Sequence, residues 1–201
     1  MLTSCEDSSL VVDRLCDRIT EGNTAVGCFY SDFEVRKGQS AASILSSLLR
    51  QMVNGMERIP DDISHTFQEQ KKAIGGRNPQ LLDVVKMLRL IPSSQHTFMC
   101  IDALDACTGV QRFKLFNSLN QILEKSPHTR IFLTGRPHIR TEVGRCLAQR
   151  VISVSISPPK SDIIRYLRSR LDEDEIPDAM DEGLEGHILE NIPERISKTC
   201  V

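Results

Sequence analysis

The sequence has no apolar run near the roughly 18 residues that a bilayer-spanning helix needs. Its opening, MLTSCEDSSL, is polar and acidic where a secretory leader would be basic and then apolar. A soluble, cytoplasmic chain with no membrane partner is the expectation. The seven cysteines (Cys5, Cys16, Cys28, Cys100, Cys107, Cys146 and Cys200) are scattered singly, with no Cys-x-x-Cys pair. That pattern predicts reduced thiols. His96 stands four residues before Cys100 with no second ligand pair, so a buried structural cysteine is expected there and not a zinc site. Charge is also scarce in net terms: a formal −2 and a sequence pI near 6.2 set up no global attraction to nucleic acid or an anionic membrane. Aromatics make up only 4% of the chain. Phe132 alone falls among Arg130, Arg136, Arg140, Arg145 and Arg150, too few for a series of stacking platforms, so those arginines read as a solvated helix face and not as a nucleic-acid stacking platform.

What is present is an ordinary globular composition, 40% apolar and 26% charged over 201 residues, enough for one domain with a sizeable core or most of a larger one. Leu10, Val11, Val12, Leu15 and Ile19 share a helical face. AVGCFYSDF from Ala25 is a short apolar run that predicts a buried strand, and Ile44, Leu45, Leu48, Leu49, Met52, Val53 and Met56 recur at helical spacing. Further helices are predicted over Asp61 to Ala73 and Pro79 to Leu90, the second with an apolar face of Leu81, Leu82, Val84, Val85 and Leu88. Thr97 to Ile101 is continuously apolar, as in a strand buried on both faces. Thr108 and Gln111 suggest a capping box for a helix whose apolar face carries Val110, Phe113, Phe116, Leu119 and Leu123. RIFLTGRP from Arg130 reads as another strand with a polar tip, and VISVSIS, Val151 to Ser157, alternates like a strand near a sheet edge. Ser157, Pro158 and Pro159 signal a helix start continued by Ile163, Ile164, Leu167 and Leu171. The run Leu171 to Glu185 holds eight acids and no base, without calcium-loop spacing. The last helix carries Leu184, Ile188, Leu189, Ile192 and Ile196, and Pro193 is expected to kink or divide it. Strands alternating with helices imply an α/β chain with a mainly parallel sheet covered on both faces.

Ligands of such sheets bind beyond the carboxyl ends of the strands. TFMCIDALDAC, Thr97 to Cys107, runs through the core and then delivers Asp102 and Asp105 to such a tip. A carboxylate at the end of a rigid buried strand suits a hydrated magnesium ion beside a phosphate, and alternatively it caps a turn. FLTGRP ends its strand in Thr134, Gly135 and Arg136, where a guanidinium can meet a phosphate with two donors. A different α/β enzyme would need a nucleophile beside a base, and no such arrangement stands out.

TFMCIDALDAC followed by RIFLTGRPHI resembles the second acidic motif and the sensor-arginine motif of NACHT-type signal-transducing NTPases. Within them the likeness is specifically to the nephrocystin-3-like N-terminal domain abundant in fungal receptor-like proteins. AVGCFYSDFEVRKGQSAASILSSLLRQM resembles the segment those proteins carry between phosphate loop and magnesium motif, and the likeness extends from about Leu10 to Ile196. The resemblance implies a three-layer P-loop NTPase-like core binding Mg-ATP or Mg-GTP in an oligomerising switch. Asp102 would be associated with magnesium, Asp105 would be the second, catalytic acid, and Thr134 and Arg136 would face the nucleotide, with Arg136 sensing the γ-phosphate.

Two departures qualify that implication. Ala106 stands where the family usually has glutamate, removing a group that would orient or activate the attacking water. The sequence also has no Gly-Lys pair, and its first lysine is Lys37, so the residues that grip the β- and γ-phosphates are missing. The expectation is a partial core over residues 1–170 without its first strand and phosphate loop, and an acidic linker with the start of a helical region over 171–201. Such a chain would not hydrolyse nucleotide, and would bind it only if a phosphate loop were supplied. It could instead be the clipped part of a working switch, or a regulatory fragment that associates with NACHT proteins or with itself.

Overall fold

The structure is a computed structural model and describes residues 11–17, 24–32, 39–56, 59–73, 79–91, 96–147, 150–156, 158–173 and 182–199. Expectations placed on Leu10, Ile19, Phe33, Ser157 and residues 174–181 lie outside these, as does the side chain of Ile196. Two compact units result, Met1–Val151 and Ile152–Val201.

In the first unit, residues 11–17 form helix α1. Strand β1 (Thr24–Tyr30) and helices α2 (Ala41–Asn54), α3 (Asp61–Ala73) and α4 (Leu81–Leu90) follow. Then come β2 (His96–Asp102), α5 (Gly109–Lys125), β3 (Thr129–Leu133) and α6 (Arg140–Leu147). The three strands make one parallel sheet in the order β1-β2-β3. The fold is α/β, with a small sheet and a majority of helix. In the second unit α7 (Lys160–Asp172) packs against α8 (Glu182–Thr199).

The sheet register aligns Ala25 with Thr97 and Thr129, Gly27 with Met99 and Ile131, and Phe29 with Ile101 and Leu133. These residues share one face by the two-residue period of a strand. The core lies on this face: Ile44, Leu45, Leu48 and Met52 of α2, Val84, Val85, Met87 and Leu88 of α4, and Leu115, Phe116, Leu119 and Ile122 of α5. Each fully buried aliphatic side chain there contributes about 1.5–3 kcal/mol relative to an exposed one. Gly27 allows the close approach of α2, because a side chain at its position would stand 3.1 Å from Met52 Cε and 3.3 Å from Leu48. On the opposite face Val12 of α1 shares a narrow cleft with Cys28, Cys100 and Phe132, so helices flank both sides of the sheet.

Local chemistry sets the helix starts. Ser40 caps α2 reciprocally: its Oγ accepts from Ser43 N–H at 3.0 Å, while Ser43 Oγ accepts from Ser40 N–H at 2.9 Å. Thr108 caps α5 by accepting from Gln111 N–H at 3.4 Å. The other arm of the expected box does not form, since Gln111 Oε1 reaches across to accept from Ala41 N–H at 3.0 Å and ties the start of α5 to that of α2.

Several sequence expectations are corrected. Residues 150–156 contain no strand, and Ile152, Val154 and Ile156 are exposed at 93%, 76% and 66%. An alternating pattern becomes a strand only when a neighbour takes up its main-chain groups, and no such neighbour is found among the described residues. Among the described residues the sheet therefore has three strands instead of four. The buried face of α5 is rotated from the one expected: Val110 and Phe113 are exposed, and Arg112, Leu115, Phe116 and Leu119 point inward, where Arg112 meets the partners described below. Leu82 of α4 is exposed as well. Pro193 does not divide α8, which is continuous through it.

The open edge of β1 is blunted by a side chain. Gln51 of α2 donates from Nε2 to the Cys28 carbonyl at 2.8 Å, and its Oε1 accepts from Cys28 N–H at 2.9 Å. One amide thus stands in for a neighbouring strand at the point where edge-to-edge pairing would begin. Gln51→Ala should lower unfolding stability by about 1–3 kcal/mol, the cost of leaving these groups unpaired. It should also raise aggregation rate at matched concentration. Chemical denaturation and light scattering check both, and an unchanged midpoint would refute the edge-capping role.

Candidate functional site

The three strand tips are knitted together by main-chain bonds. Beyond β3, Thr134 N–H donates to the Ile101 carbonyl at 3.1 Å and extends the ladder by one residue. On the β1 side Ser31 N–H donates to the Asp102 carbonyl at 3.2 Å. The chain then leaves the sheet sharply at Ala103, whose φ of 52° lies in the left-handed region. For alanine that conformation costs about 1–2 kcal/mol. It is held by Thr134 from two sides: Ala103 N–H donates to Thr134 Oγ1 at 3.0 Å, and Leu104 N–H donates to the Thr134 carbonyl at 3.0 Å.

Thr134 also fixes the first acid. Its hydroxyl donates to Asp102 Oδ1, and the Asp102 side chain is buried, with the residue only 5% exposed. The hydroxyl is engaged as both donor and acceptor inside the chain. Thr134 is therefore placed to hold the Asp102 carboxylate in one orientation.

The second acid has a different partner. Asp105 lies in a single 3-10 turn, Leu104–Ala106, closed by Ala106 N–H on the Ala103 carbonyl at 2.9 Å and by Cys107 N–H on the Leu104 carbonyl at 3.1 Å. Its Oδ1 accepts from Arg136 main-chain N–H at 3.1 Å, and its Oδ2 lies 3.3 Å from Arg136 Nε. The Asp105 side chain is 14% exposed and that of Arg136 67%. Gly135 permits this approach: a Cβ there would run into Ile139 Cδ1 and stand 3.5 Å from Asp105 Oδ1. Buried Ile139 anchors the turn Pro137–Ile139 in the core just after Arg136.

A third connection lay outside the sequence reading. Arg112, 7% exposed, forms a two-pronged pair with Glu142 of α6, Nε to Oε2 at 2.9 Å and Nη2 to Oε1 at 3.0 Å. Its Nη1 donates to the Cys107 carbonyl at 2.6 Å. One guanidinium thus ties the loop bearing Asp105 to the helix that follows Arg136. The legible signal was its spacing, since Arg112, Leu115, Phe116 and Leu119 fall at i, i+3, i+4 and i+7 on one stripe. The hydrogen bond with Arg112 holds the Glu142 carboxyl below its usual range, and the same bond raises Arg112.

All four predicted site residues, Asp102, Asp105, Thr134 and Arg136, come together on the tips of adjacent strands β2 and β3. Ala106 is buried beside them at 4% exposure. No group of three or more His, Cys, Asp or Glu gathers into a metal cage among the described residues. One carboxylate steadied by a hydroxyl, however, suits a hard ion that takes its other ligands from water and phosphate. Cys100 is buried and aligned with Cys28 on β1, and burial pushes its thiol up to about 11.

The sequence model of one family, described as Nephrocystin 3, N-terminal, matches residues 8–136. That span is more than half of the chain, and its last residue is Arg136. The chain belongs to the nephrocystin 3 N-terminal family. The matched span holds β1 to β3 and both strand tips, and stops short of the Ile196 expected from the resemblance. No curated protein and no solved structure matches the chain. No helix among the described residues of this family member is long and apolar enough to cross a membrane.

The Arg112–Glu142 pair yields a pH prediction. The folded Glu142 pKa is lowered, so the pair's contribution is fully present above the unfolded carboxyl value near 4.3. It is lost as pH falls through the folded value. Glu142→Gln should therefore be less stable than the parent at pH 7, and the gap should shrink as pH falls below the unfolded carboxyl value, closing only below the folded one. A constant gap from pH 7 to pH 3 in denaturant titrations would contradict this. Arg112→Ala should cost about 1–3 kcal/mol, less than breaking a fully buried pair, because Glu142 retains solvent that screens it.

Proposed function

We propose that this chain is a nucleotide-facing module of the NACHT type, whose strand tips meet the metal side and the terminal phosphate of ATP or GTP and which does not itself hydrolyse the nucleotide. The observation that carries this reading is the convergence of buried Asp102, clamped by Thr134, and solvent-facing Arg136 at adjacent carboxyl ends of a parallel sheet. That is where open α/β sheets take ligands, and the pairing of a hard-oxygen acid with a guanidinium suits a phosphate accompanied by a divalent cation.

In this reading Asp102 would hold magnesium through water, which when bound would neutralise charge on the phosphates. Arg136 contacts the terminal phosphate. The absence of hydrolysis is argued from two sides. Buried Ala106 offers no base at the position of the family's usual glutamate, and both oxygens of Asp105 are occupied by Arg136. The 201 residues contain no Gly-Lys pair, so they contribute no lysine grip of the phosphate-loop kind and the expected affinity is weak. The wider role, an oligomerising switch that pairs with NACHT proteins or with itself, rests on the resemblance alone.

The test is a titration of the full chain with ATP and with GTP, with and without Mg²⁺, followed by NMR shifts of the 102–106 and 134–136 amides. Saturation with a Kd of about 1 mM, near −4 kcal/mol, is expected only with Mg²⁺. Asp102→Ala and Arg136→Gln should each abolish it, and phosphate release should stay at the protein-free rate. Shifts that ignore Mg²⁺ and both substitutions, or measurable turnover, would sink the proposal.

A further inference from the structure

The ion pair at the strand tips admits two opposite roles: Asp105 could lock Arg136 away from a ligand or hold it ready for one. The geometry decides between them. Asp105 accepts the main-chain N–H of Arg136 with one oxygen, and its other oxygen forms an ion-pair contact with Nε at 3.3 Å, so its carboxylate stays anchored to the loop even when the guanidinium is engaged elsewhere. Only Nε is used. Neither Nη of Arg136 has a protein acceptor among the described residues, and the side chain is 67% exposed. A carboxylate that locks an arginine would be expected to occupy the two-pronged face, as Glu142 does on Arg112 through Nε and Nη2. Here no Nη hydrogen bond to the carboxylate forms, and the loop end of the side chain is held by the main-chain bond with the ion-pair contact at Nε beside it.

We infer that Asp105 is a positioning residue that braces Arg136 and presents its two Nη nitrogens to an oxyanion of the phosphate class. This rests on the phosphate-facing reading above. It changes the role of Asp105 from the catalytic acid implied by the resemblance to an orienting partner. It also assigns the anion contact to the Nη pair, with Nε kept for the protein. The brace acts by removing rotamer freedom from a long side chain before the ligand arrives, which lowers the entropy lost on binding.

The test must separate bracing from simple charge, because removing a carboxylate also reduces repulsion of an anion. Asp105→Asn and Asp105→Ala carry the same net charge, but only asparagine keeps an oxygen that can accept from Arg136. The full chain and both variants are titrated with inorganic pyrophosphate in Mg²⁺, while the Arg136 Nε–H resonance is followed in a 15N-labelled sample. The expected result is a protected Nε–H signal in the parent, retained in Asp105→Asn and lost in Asp105→Ala. The alanine variant should bind pyrophosphate about three- to tenfold more weakly than the asparagine variant. Equal affinities, or tighter binding by the alanine variant, overturn the brace and leave the phosphate reading standing. A protected Nε–H signal in a parent chain that binds no pyrophosphate overturns the phosphate reading, and this inference with it. Arg136→Lys needs no change at Asp105 and gives a second check: it keeps the charge without Nε and should bind at least as weakly as Asp105→Ala. Parental affinity in that variant also overturns the inference.

Discussion

The middle strand constrains everything around it. β2 is hydrogen-bonded along both edges, and Met99, Cys100, Ile101 and Asp102 are buried whichever face they point to. Sliding it by one residue would exchange its whole hydrophobic set between faces, so its register is pinned by the core. Because the register is pinned, the end of the strand is pinned too. Asp102 has no freedom to retreat into solvent, and burying it is tolerable because Thr134, one residue beyond the partner strand, supplies a hydroxyl. The left-handed Ala103 follows from the same constraint: the chain must turn away at once, and Thr134 pays for that turn with its own hydroxyl and carbonyl.

The tips carry opposite charges arranged at different depths. Asp102 is buried and has a neutral partner, whereas Asp105 is partly buried and answers an exposed arginine. A phosphate arriving here would meet one negative group suited to a cation and one positive group suited to itself. Behind them, Arg112 sets the spacing between the two loops by bonding the Cys107 carbonyl and Glu142 together. A guanidinium serves this role better than an aliphatic side chain would, since it satisfies three acceptors in fixed directions.

Two segments with open strand character are treated unequally. Gln51 satisfies the outward main-chain groups of Cys28 on β1. The apolar residues Ile152, Val154 and Ile156, which carry the alternation of a strand, instead remain exposed. Short strands with hydrophobic alternation and no pairing partner are the kind of segment that proteins usually cover, charge or interrupt. Their exposure marks the point where local pattern and observed structure part.

Much of this was determined by the sequence alone. The helix periodicities, the Thr108 cap, the buried strand ending in Asp102 and the polar tip Thr134–Arg136 all depend on neighbours within a few residues, and such neighbours are visible in the chain. Tertiary structure decided which distant groups meet. Gln111 caps across to Ala41, Gln51 closes an edge at Cys28, Arg112 finds Glu142, and Asp105 accepts the Arg136 main-chain N–H; these partners are separated by 70, 23, 30 and 31 residues. Each pairing depends on strand order and register. The same polar side chain can be a solvated surface group or a buried keystone, depending on which element packs against it. Residues 151–156 show the reverse case, a strand pattern that the fold leaves without a partner. A strand is a property of two segments, and one segment's sequence specifies only its half.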